Sequence, residues 1–202
     1  MLQYHNEKVP ASDPIRITLS DEKLRQLHPQ LYGLQAAKIQ VRWGTRLLNA
    51  DQLRTMLSEH LSFGDSRAAV VIRIDPLLVA AYTDEQDTVL LLNFPVLLVS
   101  QYSLIMGSRL LTINTYGKGK EMAPDIVEGP ATTHRWTNFY PIIAEFLSDD
   151  LNVIERRKAA IAQTEWQRAI RLAEATVARS EFSTRDGRPL FSKRPGKLTG
   201  GV

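Results

Sequence analysis

Ala68-Ala69-Val70-Val71-Ile72-Arg73-Ile74, Leu77-Leu78-Val79-Ala80-Ala81-Tyr82 and Thr88-Val89-Leu90-Leu91-Leu92-Asn93-Phe94 decide the fold of this chain. All three runs are short and mostly aliphatic, and the first is also β-branched, the composition of buried strands. Pro76 breaks the first from the second, and Thr83-Asp84-Glu85-Gln86-Asp87 reads as the turn of a hairpin between the second and third. Two adjoining strands that are apolar at nearly every position need cover on both faces. The flanking helices are the expected cover.

Downstream, Pro95 interrupts again, and periodicity does not decide between strand and buried helix for Val96 to Met106. Arg109 to Tyr116 alternates Leu111, Ile113 and Thr115 with Leu110, Thr112 and Asn114, a further strand. From Gly117-Lys118-Gly119-Lys120 to Asn138 the chain holds little apolar material, and a loop of that length is more often functional or mobile than merely connective. Pro141 stands at the expected opening of a helix through Ile142, Ile143, Phe146 and Leu147. A single long helix is then expected from Leu151 to Arg179, with a stripe of Ala159, Ala162, Trp166, Ala169, Ile170, Ala173 and Val177. At 1.5 Å per residue it spans roughly 40 Å, enough for one end to project or to meet a second copy.

Upstream, Ala37 to Trp43 alternates Ile39, Val41 and Trp43 with polar residues, as a half-buried strand does. Asn49 precedes an amphipathic helix through Leu53, Met56, Leu57 and Leu61 that Gly64 stops. Ser20 is placed to cap a short helix carrying Leu24 and Leu27, limited by Pro29. The whole reads as an α+β fold with a central mixed or antiparallel sheet of about four to six strands covered by helices, a long C-terminal helix and an irregular tail. Its organisation is a flexible N-terminal arm over 1–14, a single α+β domain over 15–179, and a basic, disordered tail over 180–202.

The net charge of +3 among 202 residues is concentrated at the C-terminus. Arg179, Arg185, Arg188, Lys193, Arg194 and Lys197 face only Glu181 and Asp186 there, so the body is nearly neutral and is not by charge a nucleic-acid binder. With no cysteine in the chain, disulfides, thiolate nucleophiles and thiolate metal sites are excluded. No window is long and apolar enough to span a bilayer. Met1 to Pro14 lacks a secretory pattern, so the cytoplasm is the expected compartment.

Candidate chemistry gathers in the long loop, where His134 with Asp125 and Glu128 is a candidate acid–base group or site for a hard cation. No HExxH, GxSxG or P-loop pattern accompanies it, and Gly117-Lys118-Gly119-Lys120 lacks the helix that a phosphate nest requires. No motif specifies a cofactor or a metal. Candidate binding residues are Arg135, Trp136 and Tyr140 in the densest aromatic cluster, and Arg156 and Arg157 near the start of the long helix. The preferred expectation is a non-enzymatic binding or assembly module acting through protein contacts, as a homodimer or with a protein partner. The alternatives are a hydrolase-like or metal-dependent enzyme using residues 117–140, and an accessory nucleic-acid-binding protein using the basic tail.

Overall fold

A computed structural model describes residues 14–43, 46–189 and 196–199, so the expected N-terminal arm lies almost wholly outside the described residues. The first helix, α1 (Asp21–Leu27), starts where Ser20 accepts a hydrogen bond from the Lys23 N–H at 3.4 Å and buries Leu24 and Leu27. Two turns of helix do not hold themselves in water. Here the Lys23 ammonium donates to the carbonyls of Glu145 and Ser148, and Ser20 N–H to that of Leu147. A 3-10 turn (Pro29–Leu31) and the single-turn α2 (Gly33–Ala36) follow.

The alternation at Ala37–Trp43 yields a strand only at its end, β1 (Val41–Trp43), paired with β2 (Arg46–Leu48) in a separate two-stranded ribbon. Next, α3 (Ala50–Phe63) opens on a full capping box: Asn49 accepts from Gln52 N–H, and the Gln52 side chain accepts from Asn49 N–H. Gly64 ends it at a close approach, for a Cβ there would stand 2.5 Å from the Ile113 side chain.

The three aliphatic runs become β3 (Asp65–Ile74), β4 (Leu77–Thr83) and β5 (Thr88–Phe94), an antiparallel meander in which every β4 residue is buried. The segment after Pro95 resolves as helix, α4 (Leu97–Gln101), before β6 (Arg109–Gly117) returns antiparallel to β3. The segment expected to begin a helix at Pro141 is instead β7 (Asn138–Ile143), antiparallel to β6. Both periods fit Ile142, Ile143 and Phe146. Pairing wins because β7 is the outer strand, where a proline without an N–H costs no ladder bond.

A second correction concerns the long helix. It is two helices, α5 (Leu151–Ala160) and α6 (Gln163–Val177), separated by extended backbone at Ile161 and Ala162. Ile161 is buried at the break while Ala159 and Ala162 are exposed, so the expected stripe starts only at Trp166. The break lets α6 turn across β3, β4 and β5, laying Trp166, Ala169 and Ala173 on the sheet.

A third correction concerns the tail. Residues 181–186 form β8 (Glu181–Asp186), parallel to β5 through Leu92↔Arg185 and Asn93↔Asp186, and β9 (Gly196–Thr199) pairs outside it. The sheet order is β7-β6-β3-β4-β5-β8-β9. It is a mixed sheet, with six strands from β7 to β8 and β9 beyond. Arg185 on β8 nevertheless donates to the Phe139 carbonyl on β7 at 2.9 Å, so the sheet curls until its two sides approach each other. Most buried apolar residues form one cluster, and a small second one (Leu90, Ile126, Phe139) lies under the long loop.

Candidate functional site

The 118–137 loop is strapped over the β4–β5 hairpin. Gly129 N–H donates to the Gln86 carbonyl at 3.0 Å, Thr133 N–H to that of Glu85 at 2.8 Å, and Gln86 Nε2 to that of Trp136 at 3.1 Å. Ala131 N–H donates to the Asp87 carboxylate, which also takes two bonds from Arg168 of α6 at 2.9 and 2.6 Å. The Arg168 guanidinium holds the Asp87 carboxyl below its usual range.

Within that strap, the three acid–base candidates part company. His134 Nδ1 lies 3.2 Å from Glu128 Oε2, and Glu128 Oε1 accepts from Thr132 Oγ1 at 2.6 Å. The His134 side chain is 75% exposed, so the pair stands at the surface. Asp125 points inward instead, its side chain 3% exposed and gripped by Arg185 at 2.5 and 2.7 Å. Among the described residues no three histidine, aspartate or glutamate side chains gather to hold a metal ion.

The aromatic cluster also divides. Trp136 stacks on Tyr116, with ring centroids 5.6 Å apart and 25° between planes, and the Lys118 ammonium lies over its ring at 5.4 Å. Its π surface is therefore committed inside the molecule. Tyr140 is opposite Thr115 in the β6–β7 ladder and packs its ring over Gly117. Arg135 is exposed, its backbone N–H held by Thr133 Oγ1 at 3.4 Å. Arg157 is a clamp between α5 and β3, donating to Ser66 Oγ at 2.8 Å and to the Ser66 carbonyl at 3.0 Å. Arg156 stays exposed and bonds the Asn152 carbonyl of its own helix.

Two features escaped the linear reading. The first is a buried polar network at the start of β3. Asp65 accepts from Tyr116 OH at 3.2 Å and lies 3.1 Å from Arg67 Nε, while Arg67 makes a two-bonded pair with Asp84 at 2.8 and 2.6 Å. Burial pushes the Tyr116 phenol well above its ordinary value, so it donates and does not ionise. The signal available was Asp65 and Arg67, charged residues at alternate positions immediately before the apolar run Ala68–Ile72. The second feature is a cavity of about 160 Å³ between β5, β8, the end of α6 and residues 124–127. No pattern in the sequence marks it, because its walls come from four separate segments.

Comparison of the chain with protein-family models, with curated proteins and with solved structures finds no match. No helix among the described residues is long and apolar enough to cross a membrane.

Proposed function

We propose that this protein is a non-enzymatic binding or assembly module that acts through protein contacts in the cytoplasm. One observation carries the reading: an apolar crown at one end of the sheet. Val96 and Leu97 follow β5, and Ile105 and Met106 precede β6, with exposures of 56, 59, 69 and 67%. Gly107 N–H bonds the Val71 carbonyl, and Val71 N–H bonds that of Ser108, which sets the Ile105–Met106 turn beside the end of β3, where Ile74 is also exposed. Large apolar side chains left exposed at the end of a sheet are characteristic of a protein contact.

The paired carboxylates support the same reading. Asp84, Asp87 and Asp125 each hold an arginine, and so each spends its charge on joining elements of the fold. The basic-tail reading loses ground for the same reason. Arg185 is paired with Asp125 and Arg188 with Asp186, and β8 belongs to the sheet. Lys193 and Arg194 lie outside the described residues.

Self-association is the first form to test. In sedimentation velocity across a concentration series, the wild-type chain should gain mass, and Leu97→Asp with Met106→Asp should hold it as a monomer with unchanged circular dichroism. Hydrogen exchange at residues 96–106 should slow as the wild-type dimer fills. A wild-type chain that stays monomeric, with concentration-independent exchange at the crown, removes self-association and leaves only a different partner.

A further inference from the structure

We draw no further inference here: the strongest candidate, the start of α6, where Arg109 lies over the Trp166 ring and donates to the Gln163 side chain beside a first turn without a side-chain cap, is a helix N-terminus with no second feature of the structure that points to a ligand.

Discussion

Arg185 is 6% exposed and uses its whole guanidinium fork: two bonds to Asp125, one to the Phe139 carbonyl and one to Asn138 Oδ1 at 2.9 Å. One side chain thus ties β8 to the long loop and to β7. Removing either charge strands the other in a poorly hydrated site, which costs about 3–5 kcal/mol. Asp125→Ala and Arg185→Ala should each lower the urea midpoint accordingly. The pair Asp125→Leu with Arg185→Met should recover much of that loss, whereas strictly additive losses would show that the two residues are not coupled.

A histidine provides the second prediction at this scale. His60 is buried, with Nε2 2.9 Å from the Ile113 carbonyl, and burial lowers its pKa to about 4. His28, buried beside Arg188 and Asp186, is lowered to about 4 by burial first and by Arg188 second. Their unfolded values are near 6.5, so the unfolded chain binds more protons between pH 6.5 and 4. Stability from these groups is complete above pH 6.5 and is lost as the pH falls toward 4, by up to about 3 kcal/mol for His60. Melting temperature against pH should slope upward across that window. His60→Gln should flatten it, and an unchanged slope would place the titration elsewhere.

Among the elements, α3 shows most directly how a local signal sets a boundary. Its capping box satisfies N–H groups that the helix start leaves open, and Asn49→Ala should cost about 1 kcal/mol. The far end is decided by contact. A Cβ at Gly64 would meet the Ile113 side chain at 2.5 Å and the His60 carbonyl at 2.7 Å. Gly64→Ala should therefore destabilise by about 1–3 kcal/mol despite the higher helix propensity of alanine. Chemical denaturation decides it, and a stabilised variant would contradict the packing. Trp166 anchors α6 to the sheet at 1% exposure, so Trp166→Ala should cost about 3–5 kcal/mol.

For the whole molecule, the C-terminal segment matters most, because it is structural. A chain ending at residue 180 loses β8, leaves the β5 edge uncovered and deprives Asp125 of Arg185. Such a truncation should unfold or aggregate, and a chain ending there with wild-type melting behaviour would refute the placement of β8. The aliphatic strands, the β4–β5 hairpin and the α3 boundaries were legible because each follows from neighbours in sequence: an apolar run, a polar turn, a capping residue. The strand at Pro141, the break at Ile161 and the strand at Glu181 were not. Each is settled by what lies across from it, β6 in the first case, the core under Ile161 in the second, and β5 with Asp125 in the third.

The candidate site divides in the same way. Its residue types could be read from the chain, but whether His134 meets Glu128 or Asp125 depends on which side chain turns toward Arg185, sixty positions away from Asp125. Local pattern by itself determined that this chain builds a buried aliphatic sheet under helices, since propensity and apolar spacing act over a few residues. Only the tertiary structure decided how that sheet closes and which charges it hides. A buried ion pair is worth having only when both partners arrive at one place, and nothing short of the folded chain specifies that place.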